Sequence, residues 1–203
     1  MNVLVVCTGN ICRSPMAERI LAARLAAAGI RDVRVSSAGT MALTGQPMTP
    51  EAAAQAARFG ADPDGHVSRQ LTEQTVQSAD LVLTATRAHR AEVAELVPRA
   101  ARRAYTLREF ARVLSFLAAE GSLDVPEPSE AGSVSRLQRA TDLAARSRGF
   151  APPPSDPNDD DILDPYRAPA AVYDEVGALI DDAVDQLVSA LATPSVSGGR
   201  GAT

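Results

Sequence analysis

The chain has 203 residues, with 20 basic and 25 acidic side chains, a net charge of −5 and 45% hydrophobic residues. This length and composition favour one α/β domain over two, and the negative charge argues against generic nucleic-acid binding. No lysine occurs, so the nucleotide-binding loop Gly-x4-Gly-Lys-Ser/Thr is missing, which excludes kinases and GTPases that depend on it.

The first predicted unit is a strand, an anion-binding loop and a helix. Residues 1–6 form an apolar run that leads into Cys7-Thr8-Gly9-Asn10-Ile11-Cys12-Arg13-Ser14-Pro15 and then an alanine-rich amphipathic stretch. In such a unit, several backbone N–H groups and the positive end of the helix dipole meet at one spot, which suits a phosphate dianion. Gly9 and Asn10 tolerate the left-handed backbone that a tight loop needs, and Pro15 suits a first helical turn.

Cys7 is the candidate nucleophile of this loop. The loop N–H groups and the guanidinium of Arg13 favour its thiolate, and Ser14 can donate one more hydrogen bond to the sulfur. Arg13 can also hold two oxygens of a bound phosphoryl group. A purely structural role for Cys7 is disfavoured by this setting.

The rest of the chain alternates short β-branched runs with helical patterns, which predicts βα units around a parallel sheet. We expect further strands at 33–36, 81–84 and 103–106, a helix capped by Thr49 that ends at Gly60, a short helix from Thr72, helices over 107–119 and 133–146, and a closing helix over 170–192. The predicted fold is α/β with three layers: a central four-stranded parallel sheet flanked by helices.

Several segments resemble the low-molecular-weight protein tyrosine phosphatases, in family order. The resemblance rests on the loop from Cys7 to Pro15 and on Ser36-Ser37-Ala38-Gly39-Thr40, Gly60 followed by His66-Val67-Ser68-Arg69-Gln70-Leu71-Thr72, Ala79-Asp80-Leu81-Val82-Leu83, and Asp164-Pro165-Tyr166. It covers residues 1 to about 110 and about 161 to 192.

The resemblance implies a protein phosphatase that forms a cysteinyl-phosphate. Cys7 would attack phosphorus, Arg13 would clamp the phosphoryl group, and Asp164 would protonate the leaving group and then activate water. Without the resemblance, Asp164 would be interpreted as a solvated acid in an acidic segment. The implied phosphate-binding loop comprises Thr8, Gly9, Asn10, Ile11, Cys12 and Ser14, and Asn10, Ser14, Ser37 and His66 are assigned to a supporting hydrogen-bond network.

Two protein substrates stay open. Ile11 favours phosphotyrosine, because the arginine-phosphatase branch tends to carry threonine at the matching position, and Tyr166 offers an aromatic wall for a phenolic ring. In contrast, Cys7-Thr8-Gly9, Leu83-Thr84-Ala85-Thr86 and Thr106-Leu107-Arg108-Glu109-Phe110 look more like the bacterial sequences in which phosphoarginine phosphatases occur. We prefer phosphotyrosine. Arsenate reduction is disfavoured, because the thioredoxin-linked type needs further cysteines and none follows Cys12, whereas a type that borrows a small thiol needs only one.

Residues 112–160 depart from the family pattern and are interpreted as a partly helical insertion before the acid loop. It holds a linker over 125–132 and a helix with Val134, Leu137, Thr141 and Ala144 on one face. The insertion either covers the site or is a solvated lobe, and we slightly prefer the lobe. We expect a single phosphatase domain over 1–192 and a disordered tail over 193–203.

No metal or other cofactor is expected, because the two cysteines and two histidines lack ligand spacing. The expected partners are a phosphorylated protein substrate and inorganic phosphate, as product and competitive ligand, without nucleic acid or membrane. The first apolar run is too short for a membrane span and lacks a basic leader, so we expect a cytoplasmic protein. A reversible disulfide between Cys7 and Cys12, which the resemblance also suggests, is a hypothesis, and the oligomeric state stays open.

Overall fold

The computed structural model describes residues 1–123 and 136–192. The linker predicted over 125–132, Val134 and the tail predicted over 193–203 lie outside the described residues. The described chain contains four strands, β1 (Asn2–Cys7), β2 (Arg34–Gly39), β3 (Leu81–Thr84) and β4 (Ala104–Thr106). They form one parallel sheet, as predicted, and lie in the order β2-β1-β3-β4.

The described residues also form seven α-helices and two short 3-10 helices. The α-helices are α1 (Arg13–Ala27), α2 (Pro50–Arg58), α3 (Glu73–Gln77), α4 (Arg87–Leu96), α5 (Leu107–Ala119), α6 (Arg136–Ser147) and α7 (Ala170–Ala192). The 3-10 helices span Pro98–Arg103 and Pro157–Asp160. Thr49 and Thr72 cap α2 and α3 as predicted, each accepting a hydrogen bond from a backbone N–H of the first turn.

The sheet has an apolar core on each face, because side chains alternate along its buried strands. Val3 and Val5 of β1 join the core formed with α1, α2, α5, α6 and α7. Leu4 and Val6 join the core formed with α3, α4 and the 3-10 helix Pro98–Arg103. This arrangement confirms the three layers.

The helix predicted in the insertion packs into the larger core. Leu137, Thr141 and Ala144 of α6 are buried, and the helix lies against α5 and α7. Arg148, just after α6, donates hydrogen bonds to the Glu109 carboxylate of α5. The preferred expectation of a solvated lobe is therefore wrong for α6, because its apolar face completes the same core as α7.

The carboxyl ends of the strands carry the predicted phosphate loop. The chain passes from β1 to β2, which lies on one side of β1, whereas β3 lies on the other side of β1. A crevice therefore opens outside the carboxyl end of β1. The loop begins at Cys7, whose carbonyl accepts a hydrogen bond from Thr40 N–H after β2, at 2.9 Å. A Cβ at Gly39 would lie 2.4 Å from the Thr8 carbonyl oxygen, so glycine is required for this close approach.

Candidate active site

The loop after β1 wraps around the sulfur of Cys7. The Asn10 N–H lies 3.4 Å from Cys7 Sγ, and the Ser14 hydroxyl lies 3.0 Å from it. Asn10 has a left-handed backbone with φ of 56°, whereas Gly9 does not. Asn10 therefore supplies the left-handed backbone of the loop. Cys7 is buried and lines a cavity of about 200 Å³.

Arg13 lies in the first turn of α1 and connects the phosphate loop with the acid loop. Its Nη2 is 2.8 Å from Asp164 Oδ2 and 3.3 Å from Thr8 Oγ1, and its Nη1 donates to the Ile162 carbonyl at 3.1 Å. The Nε of Arg13 is buried without a hydrogen-bond partner among the described residues. Cys7, Arg13 and Asp164 line the same cavity, so the three predicted catalytic residues lie together.

The outer wall of the cavity is apolar. Ile11 and Tyr166 line it as predicted, together with Met41 and Leu43, which were not predicted. Met41 is 73% exposed and Leu43 43% exposed. Two large apolar residues just after the Gly39-Thr40 motif are the signal that sequence reasoning missed. None of the lining residues in the described chain belongs to the insertion over 112–160.

Asn10 is the centre of the predicted support network. Its Nδ2 donates to Ser14 Oγ at 2.9 Å and to Ser37 Oγ at 2.8 Å, and its Oδ1 accepts from Arg69 N–H at 2.9 Å. His66 Nε2 lies 2.7 Å from the Asn10 carbonyl, which can only accept, so the ring donates. Asn10 is 0% exposed, and its side chain joins the loop to α1, to β2 and to the segment that precedes α3.

Glu18 of α1 extends this network and was not predicted. Ser37 Oγ donates to Glu18 Oε2 at 2.5 Å. Glu18 lies four residues after Ser14, so both side chains project from the same face of α1. This helical spacing is the signal that could have identified it.

His89 of α4 is a second unpredicted partner of the loop. Its Nε2 lies 2.9 Å from Thr8 Oγ1, and its Nδ1 lies 2.7 Å from Thr86 Oγ1. Burial, reinforced by the charge of Arg13, lowers the pKa of His89, so the ring is neutral near neutral pH. A lone histidine in a helix belongs to no motif, so nothing in the sequence pointed to a contact between His89 and the loop.

The segment before Asp164 is anchored to the start of α4. The Arg87 backbone N–H and its Nη2 donate to the Asp161 carboxylate at 2.8 and 2.9 Å, and Ile162 N–H donates to the Ala85 carbonyl at 2.8 Å. Burial alone would raise the pKa of Asp161, but the hydrogen bonds from Arg87 outweigh it and lower the pKa. Asp161 is thus an anchor of the acid loop.

Cys12 lines the same cavity, but its sulfur contacts other groups. Its Sγ lies 3.6 Å from Thr49 Oγ1 and 3.8 Å from the Tyr173 hydroxyl. Burial raises the pKa of the Cys12 thiol, against the opposing effect of these two hydrogen bonds. Both cysteines are free thiols, and the reversible disulfide stays a prediction.

Within residues 1–123 and 136–192, no group of three or more histidine, cysteine, aspartate or glutamate side chains is placed to hold a metal ion. No helix in the same ranges combines the length and the apolar character that a membrane crossing requires.

Known proteins resemble this chain in sequence. A family model described as low molecular weight phosphotyrosine protein phosphatase matches residues 2–151. The low molecular weight protein-tyrosine-phosphatase Etp of Escherichia coli K12 is 42% identical over 97 residues, which is 48% of this chain and 62% of Etp. The protein-arginine-phosphatase of Bacillus subtilis 168 is 39% identical over 110 residues, 54% of this chain and 72% of that protein. The first relatives are thus matched over less than two thirds of their own length.

Two further matches span nearly the whole chain. EpsP of Ralstonia solanacearum, named a probable low molecular weight protein-tyrosine-phosphatase, is 32% identical over 92% of this chain and 93% of its own. The solved low molecular weight protein tyrosine phosphatase from T. tengcongensis is 28% identical, with a TM-score of 0.65 over 93% of this chain and 98% of that one. The family model ends before Asp164. The match with EpsP covers 92% of the 203 residues, so it spans Asp164 wherever it begins. Both the family model and EpsP match most of the length of this chain, and the chain therefore belongs to the low molecular weight phosphotyrosine protein phosphatase family.

Proposed function

We propose that this protein hydrolyses phosphotyrosine in proteins through a cysteinyl-phosphate intermediate. The convergence of Cys7, Arg13 and Asp164 on one cavity carries this proposal. A thiol that faces an N–H donor, a buried guanidinium and a carboxylate are the groups that a two-step phosphoryl transfer needs. The family to which the chain belongs supports the same reaction.

In the first step, the Cys7 thiolate attacks phosphorus. The sulfur–phosphorus bond forms as the bond from phosphorus to the tyrosine oxygen breaks, and Asp164 gives its proton to that oxygen. Arg13 offers its unpartnered Nε and its Nη2 to two phosphoryl oxygens. The phosphoryl group thereby takes the place of Asp164 at Nη2, and the released carboxylate takes up a proton from solvent, which it then gives to the leaving oxygen.

In the second step, water attacks the cysteinyl-phosphate. Asp164, now a carboxylate, takes a proton from the water, and the sulfur–phosphorus bond breaks. The Ser14 hydroxyl, 3.0 Å from Cys7 Sγ, stabilises the departing thiolate. Inorganic phosphate is released, and it competes with substrate for the same loop. These residues supply every proton transfer, so the proposed reaction uses no metal and no other cofactor.

The apolar wall supports phosphotyrosine as the substrate. Ile11, Leu43 and Tyr166 offer faces against which a phenyl ring packs, and the cavity volume of about 200 Å³ suits one aromatic side chain. Protein phosphoarginine is the second candidate, supported by the Bacillus relative of that name. A phosphoguanidinium group needs acceptors for its N–H groups. Among the described lining residues, the one carboxylate that can serve as such an acceptor is that of Asp164.

The domain and its setting follow as further parts of the proposal. We interpret residues 1–192 as a single phosphatase domain, with 112–160 as an insertion relative to shorter relatives. We place the reaction in the cytoplasm, where reducing conditions keep Cys7 as a thiol. Arsenate reduction stays disfavoured for the lack of a third cysteine.

The test is the release of inorganic phosphate from phosphotyrosine and phosphoarginine peptides, in parallel, with a metal chelator and a reductant present. We expect turnover of phosphotyrosine that is abolished in Cys7→Ser and reduced about 10²- to 10⁴-fold in Asp164→Asn. Ile11→Thr is expected to raise the rate on phosphoarginine relative to phosphotyrosine. A parent enzyme that prefers phosphoarginine would overturn the substrate assignment, and inactivity on both peptides would overturn the proposed function.

A further inference from the structure

Behind the phosphate loop, polar side chains form one line of contacts that starts at Arg13. Arg13 Nη2 lies 3.3 Å from Thr8 Oγ1, Thr8 Oγ1 lies 2.9 Å from His89 Nε2, and His89 Nδ1 lies 2.7 Å from Thr86 Oγ1. Thr86 is the N-cap of α4, and its hydroxyl also accepts the His89 backbone N–H. Arg13 and His89 are each 5% exposed, whereas Thr8 and Thr86 are half-buried. The proposed reaction assigns no task to His89.

The charge of Arg13 favours one arrangement of protons along this line. A guanidinium only donates, so Thr8 Oγ1 accepts its N–H. That contact polarises the Thr8 hydroxyl and strengthens it as a donor toward His89 Nε2. A ring nitrogen that accepts carries no proton, so the neutral ring carries its proton on Nδ1 and donates it to Thr86 Oγ1. The opposite tautomer would point a positive N–H toward the Arg13 charge.

Burial and Arg13 keep the His89 ring neutral, although three carboxylates lie around it. Arg13 faces it from α1, Glu92 lies on α4 itself, and Asp161 and Asp164 face it from the acid loop. Burial and Arg13 outweigh the three carboxylates, so the pKa of His89 is lowered. A protonated ring would donate from Nε2 and could no longer accept the Thr8 hydroxyl.

We propose that His89 is a positioning residue, which as its Nδ1–H tautomer fixes, through Thr8, the orientation in which Arg13 presents Nε and Nη2 to the phosphoryl group. This role rests on the proposed function, in which a phosphoryl group displaces Asp164 from Arg13. Once Asp164 has left, Thr8 Oγ1 and the Ile162 carbonyl are the acceptors in the described chain that still hold the guanidinium. His89 orients the lone pairs of the first of these two acceptors.

The first test measures the tautomer on the intact chain, by NMR of protein labelled with 15N histidine. The sequence has two histidines, and the proposal gives them opposite protonated nitrogens: Nε2–H in His66, which donates to a carbonyl, and Nδ1–H in His89. His89→Gln identifies the signals of each ring. Nε2–H on His89, or a charged ring at neutral pH, overturns the assignment. This readout needs no activity.

The second test uses variants and the affinity for inorganic phosphate, measured by calorimetry. His89→Gln keeps an acceptor within reach of Thr8, whereas His89→Asn is too short to reach it and keeps only the contact with Thr86. We expect phosphate to bind about tenfold more weakly in His89→Asn and in Thr8→Val, and within about twofold of the parent in His89→Gln. Circular dichroism checks that each variant is folded.

A double variant decides whether one hydrogen bond carries both effects. We expect Thr8→Val/His89→Asn to bind phosphate about as weakly as either single variant, because both changes break the same contact. Losses that multiply to about a hundredfold, or equal affinities of His89→Asn and His89→Gln, overturn the role of His89. If the tautomer and the phosphate affinities are as expected but phosphotyrosine peptides are not hydrolysed, the proposed function fails and the positioning of Arg13 by His89 stands.

Discussion

Replacing Asn10 with alanine removes the side chain that joins the phosphate loop to its surroundings. Three hydrogen bonds are lost, two buried ones to Ser14 and Ser37 and a partly buried one to Arg69, which together cost about 3 kcal/mol of unfolding free energy. Alanine at a φ of 56° costs about 1–2 kcal/mol more. The expected loss of about 4–5 kcal/mol is a large part of the stability of a typical domain, about 5–15 kcal/mol.

The glycine variant separates the two contributions. Asn10→Gly loses the same hydrogen bonds but adopts the left-handed backbone without strain, while its unfolded chain gains freedom worth about 0.4–1 kcal/mol. Asn10→Gly is therefore expected to be more stable than Asn10→Ala by about 0.5–1 kcal/mol. Urea unfolding followed by far-ultraviolet circular dichroism measures both. Equal stability of the two variants, or losses below about 2 kcal/mol in both, would refute the reasoning.

Three further perturbations test the pH dependence of stability, the packing of helix α6 in the insertion, and the close contact between Gly39 and the phosphate loop. Because folding lowers the pKa of His89, the unfolded chain binds that proton more readily, and the unfolding free energy is expected to fall as the pH drops below the ordinary histidine value of 6.5. Urea unfolding at a series of pH values should show a flatter profile there for His89→Gln, and identical slopes would contradict the lowered pKa. Leu137→Ala is expected to lower the unfolding free energy by about 2–5 kcal/mol in the same assay, without changing the rate of phosphate release from peptides, because α6 belongs to the core and not to the cavity. A loss below about 1 kcal/mol would instead make α6 peripheral. Gly39→Ala is expected to displace the Thr8 carbonyl and reduce phosphate release at least tenfold, whereas Gly149→Ala, with open space around it, is the matched control that leaves the rate unchanged.

The parts of the site that are contiguous in sequence could be predicted. The loop from Cys7 to Ser14 follows a strand and opens a helix, and its backbone geometry is set by neighbours in the chain. Asp164 could be predicted only by resemblance, since nothing local distinguishes it from the acids before it. One of those acids, Asp161, anchors the acid loop through Arg87, a contact between residues 74 positions apart.

Side chains that meet only through the fold escaped prediction. His89 and Thr8 are 81 positions apart, and neither belongs to a pattern that points to the other. The same holds for α6, whose periodicity predicted a buried face at Leu137 and Thr141 but not the surface that covers it. Hydrophobic spacing identifies which side of a helix is apolar, whereas the partner of that side depends on the topology of the whole chain.

The first turn of α4 contacts both loops of the site. Arg87 binds Asp161 in the loop that carries Asp164, and His89 binds Thr8 in the loop that carries Cys7. A hydrogen-bonded helical turn is stiff, so a small shift of α4 carries both attachments in the same direction. Two segments from opposite ends of the chain, one with the thiol and one with the carboxyl group, are thus attached to the same helical turn.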